Sequence, residues 1–171
     1  MGKGESGNLT DRVVQGRFVV LKHDWPGPHL DLIIEMRNAA GADRLPTWAL
    51  YPEWSFDQIF PRDRPLAGRA VPLDPHRREY LDYEGPVSGG RGTVKRGCHG
   101  VIIDSDPGDD RDRIRIDLIV IGPSEELTPG ELRIDRKPEN RLIREIQVGR
   151  NHAGVAASEH VFEWLPRDSC G

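Results

Sequence analysis

The run His29-Leu30-Asp31-Leu32-Ile33-Ile34-Glu35-Met36 alternates with period two, and no other feature narrows the possible fold as much. In an extended strand successive side chains point to opposite faces. Leu30, Leu32, Ile34 and Met36 therefore share one face, which needs a core, while His29, Asp31, Ile33 and Glu35 share the other. Upstream, residues 17–23 (RFVVLKH) are β-branched and aromatic, as strands are. The five residues between, Asp24-Trp25-Pro26-Gly27-Pro28, continue neither a strand nor a helix. The two runs read as a β-hairpin, with His23 across its mouth from His29.

Further short strands follow. Residues 47–51 and 69–73 are separated by proline-rich loops, and 85–100 is rich in glycine for tight turns. Residues 101–104 and 113–121 read as another hairpin, joined by the acidic loop 105–112. This pattern predicts a mainly β protein: a compact β-barrel of short antiparallel strands with long loops and at most one or two short helices. Residues 1–16 read as a flexible N-terminal segment, 17–149 as the barrel domain and 150–171 as a C-terminal extension, helical over 153–165. Near residue 128, Thr-Pro-Gly-Glu resembles a helix capping box, whereas Leu132 and Ile134 alternate like a strand.

At 171 residues the chain suits one domain. Its apolar runs are too short to cross a bilayer, and Cys98 and Cys170 form no disulfide framework, so a cytoplasmic location is expected. The net charge of −4 argues against a protein that coats DNA. Charge is uneven, however: residues 62–99 hold eight basic and five acidic residues and would steer an anionic ligand.

His29 and Asp31 on one strand face, with His23 opposite, make three legs of a metal site. Two imidazoles and one carboxylate leave coordination positions open, as catalytic metals require, and suit Mn²⁺, Zn²⁺ or Fe²⁺. A non-haem Fe(II) oxygenase using His29, Asp31 and a distal His76 is an alternative reading of the same ligand types.

The string Phe18-Val19-Val20-Leu21-Lys22-His23, followed after five residues by His29-Leu30-Asp31-Leu32, resembles the opening motif of the 3′-phosphoesterase domain of bacterial DNA ligase D. Thr47-Trp48-Ala49-Leu50 resembles that family's SWAVP strand. Asp74-Pro75-His76 with Tyr80-Leu81-Asp82-Tyr83-Glu84-Gly85 resembles its EDH…YADFEG segment, and Gly90-Arg91-Gly92-Thr93-Val94 its GAGTV. The motifs occur in order over roughly residues 17–121. The resemblance implies a stand-alone, divergent member, a Mn²⁺-dependent enzyme (Zn²⁺ or Co²⁺ being alternative metals). It would remove 3′-phosphate, or a 3′-ribonucleotide, from nucleic-acid 3′ ends during DNA end-healing. A separate DNA ligase or polymerase is the implied partner, with no role for a membrane. It implies His23, His29 and Asp31 as metal ligands and His76, Asp74 and Tyr80 as catalytic residues. Arg69, Arg77 and Arg91 are the candidate phosphate-binding cations.

Two positions depart from the family pattern. Ile33 stands where the family has a phosphate-gripping arginine and, by the period-two count, would face the site. Glu53 falls in the segment where the family has a lysine. These departures motivate an alternative: a catalytically impaired module of the same fold that binds metal and nucleic-acid ends.

Overall fold

The computed structural model describes residues 14–37, 41–106, 113–136 and 160–168. The strands are β1 (Gly16–His23), β2 (His29–Met36), β3 (Arg44–Pro52), β4 (Leu66–Arg77), β5 (Gly85–Pro86), β6 (Thr93–Asp106), β7 (Arg113–Ile121), β8 (Leu127–Arg136) and β9 (His160–Pro166). They form one sheet in the order β1-β2-β3-β4-β9-β8-β7-β6-β5, and β6 pairs back onto β1. The result is a closed, eight-stranded antiparallel barrel, with the two-residue β5 attached to β6. Closure leaves no open sheet edge among the barrel strands. A 3₁₀ turn, Arg78–Leu81, follows β4 directly. No helix among the described residues is long and apolar enough to cross a membrane.

Period-two alternation fills the barrel as expected. Phe18, Val20, Leu30, Leu32, Ile34, Leu50, Ile102, Leu118, Leu132 and Ile134 point inward and are buried, and Met36 packs against them. Each such aliphatic or aromatic side chain contributes roughly 1.5–3 kcal/mol by leaving water. Phe60, from the β3–β4 loop, closes the core by stacking on Trp164 at a ring distance of 4.9 Å. The Trp164 indole donates its N–H to the Pro61 carbonyl at 2.8 Å. Gly130 makes room for that indole, since a Cβ there would lie 2.0 Å from a Trp164 ring carbon.

The C-terminal expectation is corrected. His160–Pro166 is a strand, not part of a helix, and it sits between β4 and β8 as a stave of the barrel rather than an extension to it. His160, Phe162 and Trp164 are buried, whereas Val161, Glu163 and Leu165 are not. That is alternation, which the one-turn spacing of Val161 and Leu165 imitates. The barrel therefore runs past residue 149. Residues 153–159 of the expected helix lie outside the described residues, as do residues 1–13 of the expected N-terminal segment and 107–112 of the acidic loop. The capping-box reading yields to strand β8, where Thr128 pairs with Val120 and Pro129 with Ile119. β4 and β6 also run longer than expected. Prolines in β4 and glycines in β6 hide the strand signal.

A second, smaller apolar cluster lies on the opposite face of the β1–β2 hairpin. It comprises Val19, Leu21, Ile33, Leu45, Leu81 and Val94, with Tyr80 and Val87 packed against it. These residues place the 3₁₀ turn and the β5–β6 region over the outer face of β1 and β2. Ile33 is 0% exposed. It keeps the face expected of it but is sealed inside this cluster rather than open to the site.

Candidate metal centre

The β1–β2 register sets His23 directly opposite His29, with Asp31 two residues further along β2. Ligand atoms of His23, His29 and Asp31 all lie within 4.8 Å of one another. The His23 and His29 ring centroids are 4.8 Å apart. His23 Nδ1 is 3.0 Å from Asp31 Oδ2, and His29 Nε2 is 3.0 Å from Asp31 Oδ1. His76, brought over from β4, places its Nε2 3.8 Å from Asp31 Oδ2. The sequence-predicted trio is thus assembled, with the fourth predicted residue at its rim.

The second nitrogen of each ring fixes what the first can do. His23 Nε2 bonds the Arg91 carbonyl at 2.8 Å, His29 Nδ1 the Gly27 carbonyl at 2.9 Å, and His76 Nδ1 the Asp74 carbonyl at 2.9 Å. A carbonyl only accepts, so those nitrogens carry the protons. In the neutral rings the remaining nitrogens, His23 Nδ1, His29 Nε2 and His76 Nε2, present lone pairs toward one carboxylate. Lone pairs facing a carboxylate at 3.0 Å call for a cation between them, whether a proton or a metal. The His29–Asp31 contact is close but out of line for a hydrogen bond, and Asp31 Oδ1, fully buried, has no hydrogen-bond partner among the described residues. Imidazoles anchored through their far N–H on backbone carbonyls are the usual support of metal-ligating histidines. The donor set and the orphaned oxygen both fit a divalent metal.

Charge in the site follows from this packing. Burial pushes the Asp31 carboxyl up, but the His29 and His76 imidazoles beside it outweigh that and hold it well below the usual carboxylate range. Burial pulls the His29 imidazole down, yet Asp31 and the Gly27 carbonyl raise it above its ordinary value. Asp31 likewise raises His76, against a smaller effect of burial.

The other predicted residues divide. Tyr80, on the 3₁₀ turn, lies beside His76 with tilted rings whose centroids are 5.9 Å apart. Asp74 contributes its backbone carbonyl to His76, while its side chain is exposed. Arg69 lies over the Tyr51 ring at 4.3 Å, and that ring is 5.8 Å from His29. Arg91 lends its carbonyl to His23, and its guanidinium folds back onto Ser88. Arg77 is exposed and paired in register with Arg44, outside the cluster around Asp31. Glu53 is exposed just past the end of β3.

Sequence reasoning missed three supports. Thr47 is buried and accepts the backbone N–H of His76 at 3.2 Å, beside the β-bulge that carries His76 toward Asp31. Tyr51 is reached by counting register from Leu30 opposite Leu50. Glu35, on the ligand face of β2, binds both Arg17 and Arg78, and Arg17 also meets Asp82 at 3.6 Å. Glu35 thereby ties the 3₁₀ turn to β2. Its position on the His29 and Asp31 face was the available signal. Compared with known protein families and with curated proteins, the chain matches none.

Proposed function

We propose that the chain is a metal-dependent 3′-phosphoesterase acting on 3′-phosphate ends of nucleic acid. The observation that carries the metal requirement is the convergence of three imidazole lone pairs on one buried carboxylate. The substrate class rests on the ordered motifs that resemble the DNA ligase D phosphoesterase domain. His23 Nδ1, His29 Nε2 and the Asp31 carboxylate would hold the metal, Mn²⁺ by that resemblance. A divalent metal there supplies Lewis-acid polarisation of a phosphoryl oxygen and lowers the pKa of bound water.

The chain's own groups supply the rest. Asp74 fixes the His76 tautomer through its carbonyl, and Thr47 fixes the backbone behind it. His76, whose Nε2 lies at the site's rim and whose pKa Asp31 raises, is the group that would protonate the leaving oxygen. Water adds to phosphorus, the bond from phosphorus to the 3′ oxygen breaks, and His76 gives that oxygen its proton. Arg69, steadied by Tyr51, and Arg91 are the nearby cations that would offset phosphate charge.

The test is release of inorganic phosphate from a 3′-phosphorylated primer with and without Mn²⁺. Release should depend on metal and vanish in His29→Ala. No release from protein shown independently to contain bound metal overturns the proposal. Tight binding of 3′-phosphorylated ends without turnover would instead assign the impaired binding module, a reading favoured by the apolar burial of Ile33 where the resembled family has arginine.

A further inference from the structure

Trp25 is the second residue after His23, in the β1–β2 loop, and 44% of it is exposed. Trp48 and Trp164, by contrast, are buried in the barrel. The loop bearing Trp25 is held firmly. Asp24 Oδ1 accepts the backbone N–H of Thr93 at 2.6 Å. Gly92, at φ +73°, sits so close that a Cβ there would lie 2.6 Å from Trp25 Cβ. The same turn is closed by Val87 N–H on the Gly92 carbonyl at 2.8 Å, and its Arg91 carbonyl orients His23. The same turn therefore holds His23 through the Arg91 carbonyl and packs on the Cβ of Trp25.

Exposing an indole costs solvation free energy that burial would recover. Trp25 lies in the loop at the hairpin mouth, two residues after His23 and four before His29. The barrel interior is filled by Trp164, Phe162, Phe60 and Phe18, so a substrate must approach from outside the barrel, where this indole is exposed. Residues 62–99, which supply the neighbouring turn, carry a net excess of basic residues suited to a phosphate backbone. A flat aromatic ring next to an anion site matches the arrangement by which proteins hold single strands, stacking a base while cations meet the phosphates.

We propose that Trp25 is the stacking platform for the terminal base of a single-stranded nucleic acid whose 3′ phosphate lies at the metal centre. This deepens and rests on the phosphoesterase reading, and it narrows the substrate class. The protein recognises a 3′ end that carries a base, not a small phosphomonoester.

Two labelled single-stranded oligonucleotides with 3′ phosphates test it, identical except that one lacks its terminal base. Binding is followed by fluorescence anisotropy, in EDTA and in Mn²⁺. Wild-type protein should lose roughly 5- to 150-fold in affinity when the base is removed, the range for one stacked base. Trp25→Ala should lose the same factor on the intact strand and nothing further on the abasic one. Trp25→Phe should recover part of it, and Trp54→Ala, at another exposed indole, should behave as wild type. Equal sensitivity to base removal in wild type and Trp25→Ala overturns the proposal, as does failure of the wild type to bind either strand. Phosphate release is measured separately. Base-dependent, Trp25-dependent binding without turnover sinks the phosphoesterase reading alone, and turnover indifferent to Trp25 and to the terminal base sinks this one alone.

Discussion

Replacing Asp31 by Asn keeps the side chain's shape, removes its charge and adds an N–H donor. In the metal-free protein His29 and His76 have pKa values raised above the ordinary 6.5. A raised pKa contributes stability that is present below 6.5 and is lost as pH rises through the raised value. Asp31 is lowered from an ordinary 3.8, so its contribution is present above 3.8 and is lost as pH falls through the lowered value. Both contributions are complete only between these limits. There, Asn gives up the attraction between a buried carboxylate and two charged imidazoles for neutral polar contacts, a difference of about 1–1.5 kcal/mol for each ring. With two imidazoles involved, Asp31→Asn should cost roughly 2 kcal/mol near about pH 5.5 by this difference. Above the raised imidazole values the wild-type carboxylate faces neutral lone pairs, whereas Asn donates an N–H to one of them. The difference should then shrink to about zero or reverse. Urea unfolding in EDTA at about pH 5.5 and about pH 8.5 reads both. Metal affinity moves the other way, since the imidazoles must shed protons to bind. Calorimetric titration with Mn²⁺ or Zn²⁺ should show wild-type affinity rising with pH. Asp31→Asn should fall by more than the roughly 10- to 100-fold that loss of a ligand's support alone produces. A stability deficit that grows with pH, or wild-type metal affinity in Asp31→Asn, would refute the reasoning.

Five other outcomes follow from particular contacts. Glu35→Ala should cost about 1.5–3 kcal/mol in urea unfolding, because a mostly buried carboxylate is lost. The figure is held down because its arginine partners are 42% and 36% exposed. Asp135→Ala, removing an exposed pair with Arg113, should stay within about 0.5 kcal/mol. Gly130→Ala should destabilise by about 1–3 kcal/mol through overlap with the Trp164 ring, visible as a lower Tm. His76→Ala should leave metal affinity close to wild type while kcat for phosphate release drops by about 10²–10⁴. Ile33→Arg should unfold the protein or cost about 4 kcal/mol or more, with no gain in phosphate release, because it forces a charge into an apolar cluster.

The hairpin and its candidate ligands were legible because two strands of opposite periodic faces and a five-residue loop leave one register, and register alone sets His23 opposite His29. His76 was singled out by the family resemblance and by the alternative oxygenase triad, not by the strand pattern that assembled the hairpin. It approaches Asp31 across a bulge between Leu45 and Thr47, and a bulge shifts the face count by a residue without a mark in the sequence. β9 was misread because a short run such as Val161-Phe162-Glu163-Trp164-Leu165 satisfies both periods. Tertiary pairing with β4 and β8 decides between them. The backbone carbonyls of Gly27, Asp74 and Arg91 could not be read at all, since a carbonyl's role depends on chain path and not on side-chain identity.

Ile33 shows why a face assignment is not yet an environment. Parity placed it beside Asp31 on the outer face, and from sequence an outer face means solvent. Here the chain after β4 folds back: Leu81, Tyr80, Val87 and Val94 cover that face and make it a second core. The consequence reaches the chemistry. Asp31 is 1% exposed because this cover excludes water beside it, and a carboxylate so dried is satisfied only by imidazolium or metal. An arginine at position 33 would compete for Asp31 as a counter-ion and open the seal. With isoleucine there, the balancing charge must come from His29 and His76, which Asp31 raises, or from a cation the cluster shares. The arginines near the site lie at its rim, where Arg69 rests on Tyr51 and Arg91 shares the turn whose carbonyl bonds His23.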